Sequence, residues 1–236
     1  MKIHCVWEHN GDDSLLYAAD FPGAFARGAS LHAALERLPG ELRAYLRWAE
    51  KPIPDAFELE IAQEKPSALT IRDADSDVIF DSERPVLSER EYLDLKALAL
   101  KSARDFQALY DAMPDKDLSV LPPRETFYGP LPRTAQEMYM HTKNVNNYYF
   151  GEIGVDVDND GDIEACRARG FAALELQPAY LDNAAYTGSY DEEWSLRKLL
   201  RRFIWHDRIH ARAMWRMGRR TFGASAVPDV FGFELT

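Results

Sequence analysis

Cysteine is scarce in this sequence: Cys5 and Cys166 are the only two among 236 residues. A disulfide framework is therefore excluded, a bridge between two such distant residues is not expected, and a reduced, cytoplasmic setting is predicted. Long apolar runs are absent as well. No stretch approaches the roughly 20 apolar residues that span a bilayer, and the start lacks the apolar core of a signal peptide. The expectation is a soluble globular protein without a membrane partner.

Basic residues are outnumbered, since the net charge is −11. This balance argues against nucleic acid as a partner, because nucleic-acid binding requires a basic face. The basic residues are nevertheless concentrated, with nine Lys or Arg and a single acid, Asp207, in residues 196–220. That face could bind an acidic substrate. We favour the alternative, in which it pairs with acids of the N-terminal part and packs the two halves together.

Residues 1–86 are predicted to form a small α+β domain. Asn10-Gly11 is a strong hairpin signal, and Ser30 is a natural N-cap for the long helix that follows. Alternating apolar stretches predict strands on both sides of that helix, at 3–7, 15–19, 24–28, 56–65, 68–73 and within 76–87. The first five elements have the order βββαβ.

Residues 87–236 change character and are predicted to form an all-α four-helix bundle. Apolar residues recur at helical spacing in four segments, at 88–113, 133–153, 163–177 and about 193–218. A proline-rich connector follows the first helix, and the acidic loop "VDVDNDGD" follows the second. This loop resembles a calcium loop, but Arg167 stands where a bidentate Glu is required, so an acidic surface turn is predicted.

Two histidines of the fourth helix, His206 and His210, lie four residues apart and within its apolar stripe, so both rings should point into the bundle. On the second helix, His141 occupies the middle of the apolar stripe. Three inward imidazoles supply three corners of a tetrahedron and leave one position open, which is typical of a catalytic metal site. Glu137 and Asp207 lie close enough in sequence to orient an imidazole or act as a base.

The same residues have two alternative interpretations. An H-x-x-x-H pair is often only two ordinary histidines whose rings find other partners. A zincin-type protease is disfavoured, because Asp207 stands where that motif has Glu and no suitable third ligand follows His210. If a metal is bound, three imidazoles suit one divalent ion, zinc or nickel first, with iron, manganese or copper as alternatives.

The segments "TAQEMYMHTKNVNNYY" and "RRFIWHDRIHARAM" resemble the second and fourth helices of the DinB-like superfamily. Its members are metal-binding four-helix bundles with one histidine on helix two and an H-x-x-x-H pair on helix four. The resemblance, over residues 88–218, implies the ligands His141, His206 and His210. Characterised members include transferases and isomerases that use low-molecular-weight thiols such as mycothiol or bacillithiol. The long connector "LPPRETFYGPLPR" and the acidic loop depart from the short connections expected of the family.

The first part has a resemblance of its own. The stretch "LLYAADFPGAFARGASLHAALERLPGELRAYLRW" is similar to the HicB-like pattern of a strand, a turn of the "DLPG" type and a long helix. The HicB family includes antitoxins that occlude a small ribonuclease. The DNA-binding module that such antitoxins often carry is missing here, and the predicted bundle takes its place.

These observations favour a bacterial-type, metal-dependent enzyme in which the ion activates a thiol or water, with thiol-dependent transfer first and hydrolysis second. Its partner would be a small-molecule substrate, with a low-molecular-weight thiol as one candidate. The alternative is a non-catalytic binding or regulatory protein, in which the HicB-like domain docks a partner and any metal is structural. Whether the bundle forms a homodimer is left open.

Overall fold

A computed structural model of the chain describes residues 1–73, 75–126 and 129–235, so Phe127 and Tyr128 of the proline-rich connector lie outside it. The N-terminal part is built on a four-stranded sheet: β1 Lys2–Asn10, β2 Asp13–Ala18, β3 Phe25–Gly28 and β4 Glu58–Pro66. The strand order is β3-β2-β1-β4. The first three strands are antiparallel neighbours, whereas β4 runs parallel to β1. The sequence of elements, three strands, a helix and a strand, agrees with the prediction.

The hairpin between β1 and β2 follows from Asn10-Gly11. The ladder closes on the pair Asn10 and Asp13, which leaves a two-residue loop. Gly11 has φ +58°, a conformation that tight hairpin turns require and that glycine adopts without a Cβ clash. The turn therefore fixes the register, and with it which side chains of β2 face each side of the sheet.

Other parts of the chain cover both faces of the sheet at β1, β2 and β3. Helix α1, Leu31–Trp48, starts at the N-cap Ser30 and covers one face, where its leucines meet side chains of β1 and β2. The other face packs against the irregular segment 69–80 and one indole from the C-terminal part; its buried residues are Val6, Leu15, Tyr17, Phe25, Ile71, Val78, Phe80 and Trp205. Strands β1, β2 and β3 thus form an internal layer, whereas β4 lies at the edge of the sheet and is largely exposed.

Four helices make up most of the C-terminal part: α2 Glu89–Asp111, α3 Ala135–Gly151, α4 Ile163–Glu175 and α5 Leu196–Phe222. Each begins at a residue whose side chain accepts a bond from the first-turn backbone, namely Ser88, Thr134, Asp162 and Ser195. They pack on one another around buried aromatic rings. Two short ladders lie between them: β5 Glu125–Thr126 with β6 Gly129–Pro130, and β7 Tyr186–Thr187 with β8 Glu193–Trp194.

None of the helices in the described ranges combines the length and apolar character needed to cross a bilayer. Cys5 and Cys166 are buried and unbridged, as predicted.

The two further strands predicted at 68–73 and within 76–87 are wrong. Residues Ile71–Asp73 form a turn of 3₁₀ helix, and 76–80 are irregular. The carbonyls of 76–78 accept hydrogen bonds, at 2.7–2.9 Å, from basic side chains of α5: Lys198, Arg201 and Arg202. Because these side chains use the acceptors that a strand ladder needs, the segment docks on a helix instead of joining the sheet.

The predicted pairing of the basic face of α5 with acids of the N-terminal part is confirmed. Arg208 donates to the Glu41 carboxylate of α1 at 2.7 Å, and Arg212 pairs with the same carboxylate. Arg201 makes a second ion pair, with Glu83. Arg208 and Glu41 are almost fully buried. Removing one partner from such a pair costs about 3–5 kcal/mol, so α5 is firmly anchored to the N-terminal part.

Candidate metal centre

The positions of the three histidines follow from two helix starts. Thr134 caps α3 and places His141 in the second turn of that helix. Ser195 caps α5, and its apolar face turns His206 and His210 toward α3. Because the two helices pack together, residues that are 65 and more positions apart in sequence face one another.

The three imidazoles come together as the sequence predicted. One ligand nitrogen from each ring can be chosen so that all three lie within 4.8 Å of one another. The ring centroids are 5.1 Å apart for His141 and His206, 4.5 Å for His141 and His210, and 4.4 Å for His206 and His210. Among the described residues, these three histidines are the only such cluster of possible metal ligands.

The rings differ in exposure. His206 is 8% exposed, His210 is half-buried and His141 is exposed to solvent. Burial lowers the pKa of His141, brings the pKa of His210 to about 3 with help from His141, and places the pKa of His206 well below its ordinary value. All three rings are therefore neutral near pH 7, and the neutral imidazole is the form that binds a metal.

A metal ion fits this donor set. The Nδ1 atom of His206 is buried and has no hydrogen-bond partner among the described residues, and an unpaired buried polar atom costs about 1–3 kcal/mol. Nitrogens bound tetrahedrally to zinc at about 2.0–2.1 Å lie about 3.3 Å apart, so ligand nitrogens separated by up to 4.8 Å would need to draw closer by up to about 1.5 Å on binding. The cluster could hold a metal ion, and its identity is not specified by the geometry.

Glu137, predicted to assist the metal, caps α3. Its carboxylate accepts the backbone N–H groups of Arg133 and Thr134 at 2.8 and 3.0 Å, while the Thr134 hydroxyl accepts the N–H of Glu137. These bonds hold the pKa of Glu137 below its ordinary value. The reciprocal arrangement is a capping box, so Glu137 stabilises the start of α3.

Asp207, the other predicted assistant, lies in a fully buried ion pair with Arg167 of α4. The two Asp207 oxygens accept from Arg167 at 2.5 and 3.1 Å. Burial raises the pKa of Asp207, and the Arg167 guanidinium opposes that rise. Neither Asp207 nor Glu137 belongs to the histidine cluster.

The calcium-like loop is explained by the same pair. Arg167, which stands at the position of the missing Glu ligand, is withdrawn into the core to neutralise Asp207. In the loop itself, Asp158 is exposed and pairs with Arg169. The prediction of an acidic surface turn is therefore confirmed. Cys166 lies apart from the histidines and its thiol donates to the Asp162 carbonyl.

Sequence reasoning missed Arg202, which lies beside the histidine cluster. It occurs four residues before His206 and so lies on the same face of α5, a spacing that would have revealed it. Its guanidinium carbon lies 4.8 Å from the centre of the Trp205 ring and 5.6 Å from that of Tyr149. The Tyr149 ring in turn lies edge-on to His206, with centroids 5.9 Å apart.

Within the described residues, fold and site together define a mixed α/β protein with an N-terminal sheet, five α-helices and a three-histidine cluster that could hold a metal ion. The chain matches no family model, no curated protein and no solved structure.

Proposed function

We propose that the protein is a metal-dependent enzyme whose ligands are His141, His206 and His210. The observation that carries the proposal is the convergence of three neutral imidazoles within 4.8 Å, with one buried nitrogen that lacks a partner. A structural metal site would be closed by a fourth protein ligand, whereas this cluster offers three. Three ligands leave room for a substrate.

Access to the cluster supports a catalytic rather than a structural role. His141 is exposed, so its edge of the cluster faces solvent, while His206 closes the opposite side. When bound, a divalent ion lowers the pKa of a thiol or water and supplies a nucleophile at neutral pH. The protein's own contribution is to hold three oriented imidazoles and to exclude water from the buried side.

The reaction class rests on the DinB-like resemblance of α3 and α5. That resemblance favours transfer involving a low-molecular-weight thiol, and hydrolysis is the second choice. For the ion, we propose zinc or nickel, with iron, manganese and copper as alternatives. For the N-terminal part we propose an accessory role, because Glu41 of α1 and Glu83 of the segment after the sheet anchor α5.

The test is metal content, measured by elemental analysis on protein purified without a polyhistidine tag. About one divalent ion per chain is expected for the wild type, and His206→Ala and His210→Ala should lose it. His32→Ala is the matched control, because His32 is an exposed histidine of α1 paired only with Glu36. A cobalt-substituted sample should change its absorption spectrum when a small thiol such as cysteamine is added.

Two results would contradict the proposal. If the wild type and His206→Ala carry the same amount of metal, the histidines are not ligands. If metal is bound but the absorption spectrum of the cobalt-substituted protein does not change when the thiol or any other small ligand is added, the ion has no open coordination position. The second result would favour the non-catalytic alternative, in which the ion is structural and the N-terminal part docks a partner.

A further inference from the structure

Arg202 lies inside an aromatic enclosure next to the histidine cluster. Rings from three elements surround its guanidinium carbon, at 4.8 Å for Trp205, 5.6 Å for Tyr149 and 5.6 Å for Trp194. Trp194 and Tyr149 belong to the helical part, and Trp205 packs on the sheet. The enclosure therefore lies where the two parts of the chain meet, which is a common location for small-molecule sites.

Among the described residues, Arg202 makes no direct ion pair: burial lowers its pKa, and attraction to Tyr149, Glu192 and Glu8 raises it overall. Within the part of the chain that the structure describes, no carboxylate oxygen lies within 4.0 Å of its guanidinium. Every other buried or half-buried basic residue of α5 has such a partner: Arg197, Lys198, Arg201, Arg208, Arg212 and Arg219. The nearest acids are engaged elsewhere, Glu192 with Lys198 and Glu8 with the Ser76 hydroxyl. Arg202 is thus the exception on a helix that otherwise pairs its enclosed cations.

Hydrogen-bond donors around Arg202 also outnumber their acceptors. The guanidinium donates from Nη1 to the Ser76 carbonyl at 2.9 Å, but its Nε is buried without an acceptor. The indole Nε1 atoms of Trp194 and Trp205, which are 0% and 3% exposed, lack acceptors as well. Unpaired buried donors are costly, and a charged donor more so than a neutral one. A site with unmatched donors and a positive charge that lacks a direct ion pair is complementary to an anion.

We infer that Arg202 binds a carboxylate of the substrate while another group of the same molecule reaches the histidine cluster. A single guanidinium recognises a planar carboxylate through two parallel bonds, and aromatic faces suit both planar partners. Arg202 and His206 are one helical turn apart, about 6 Å along the axis. The substrate is therefore a small carboxylic acid whose reacting group lies a few bonds from the carboxylate. This inference rests on the proposed function, because it assigns the substrate class of that site.

Succinate and its uncharged diamide, succinamide, are suitable probes, since they share a length and differ in charge. Binding to the zinc-loaded protein is followed by calorimetry and by fluorescence of the tryptophans that enclose Arg202. The wild type should bind succinate at least about tenfold more tightly than succinamide, and Arg202→Met should lose that preference. Arg220→Met is the matched control, because Arg220 is an exposed arginine near the far end of the same helix.

Metal content measured on the same samples distinguishes a failure of the carboxylate-binding inference from a failure of the proposed metal-dependent function. Arg202→Met that keeps its metal and loses the preference for succinate supports the inference. If Arg202→Met keeps its metal and its preference for succinate, the inference is wrong. The inference is also wrong if the wild type binds the two probes equally or binds neither. If Arg202→Met fails to fold, two other measurements test the inference. One is the wild-type comparison of succinate with succinamide. The other is Arg202→Lys, which keeps the positive charge but loses the two parallel hydrogen bonds of the guanidinium. A wild type without metal refutes the proposed function, and fluorescence titration of that metal-free protein still tests Arg202.

Discussion

The ring of His141 on α3 lies 4.5 Å from the ring of His210 on α5, centroid to centroid, at an interplanar angle of 64°. The contact joins two helices whose ends are fixed independently, by the caps at Thr134 and Ser195. A metal ion held between them should therefore stabilise the folded protein, since the unfolded chain does not bring these residues together.

Metal removal should lower the melting temperature of the wild type. At an ion concentration about 1,000 times the dissociation constant, binding adds about 4 kcal/mol to the free energy of unfolding. We expect a chelator to abolish this gain, and we expect His141→Ala, whose exposed ring is not needed for packing, to melt at one temperature with or without metal. Differential scanning calorimetry measures both. A His141→Ala protein that still gains stability from the ion would show that His141 is not a ligand.

Asp207→Asn should destabilise the fold while leaving metal binding intact. The substitution leaves Arg167 buried without a counter-charge, which costs about 3–5 kcal/mol. Urea unfolding measures the loss, and elemental analysis measures the ion. A folded Asp207→Asn protein of wild-type stability that loses its ion would instead assign Asp207 to the metal centre.

Glu137→Ala should also destabilise the fold while leaving metal binding intact, but by less than Asp207→Asn. It removes one half of the capping box of α3, which costs about 1 kcal/mol. Metal content should stay at the wild-type level, because the carboxylate is directed to backbone N–H groups. The comparison with Glu137→Gln, which keeps the acceptor oxygen, isolates the cap: this variant should regain most of the lost stability in thermal unfolding.

Glu41→Gln tests the anchoring of α5 to α1. Two arginines, Arg208 and Arg212, converge on this carboxylate, so neutralising it should cost about 3–5 kcal/mol in the free energy of unfolding. Glu36→Gln on the same helix is the control, since Glu36 is exposed and should change stability by about 0–1 kcal/mol. Equal, small losses in urea unfolding would mean that the buried pairs contribute little.

Glu8→Gln should change how stability depends on pH. Burial raises the pKa of Glu8 above its ordinary value of 4.5, so the folded protein keeps a proton that the unfolded chain releases. The stability that Glu8 contributes is complete below pH 4.5 and is lost as pH rises through the raised pKa. Relative to Glu8→Gln, the wild type should therefore become less stable as the pH rises above 4.5, which unfolding in urea at several pH values measures. A difference that does not change with pH would show that Glu8 is charged in the folded state.

The sequence predicted the histidine cluster well because helical spacing is a strong local signal. Four-residue separation places His206 and His210 on one face, and an apolar stripe places His141 on the side of α3 that packs on α5, although its ring remains exposed. The convergence of the three rings then needs only that the two helices pack together. The start of α2 also has a local sequence signal, since Ser88 and Glu91, three residues apart, form a capping box.

The sequence predictions were wrong or incomplete where contacts between distant parts of the chain determine the structure of a segment or the burial of a side chain. Residues 76–80 alternate like a strand, yet their carbonyls bond to α5, which no local pattern reveals. The basic face of α5 was predicted to pair with N-terminal acids, but its periodicity did not show that this packing would bury Arg201 and Arg208. A helix face is polar either because it faces solvent or because it pairs with buried charges of opposite sign. The periodicity of one sequence does not distinguish these two cases.

The docking of the N-terminal part on α5 sets a condition for transplanting this histidine site into a smaller scaffold. A four-helix fragment would carry Arg201 and Arg208 without Glu83 and Glu41, so two guanidiniums would lie against apolar surface with nothing to balance them. Any minimal version must exchange these arginines for apolar side chains as well as preserve the three imidazoles.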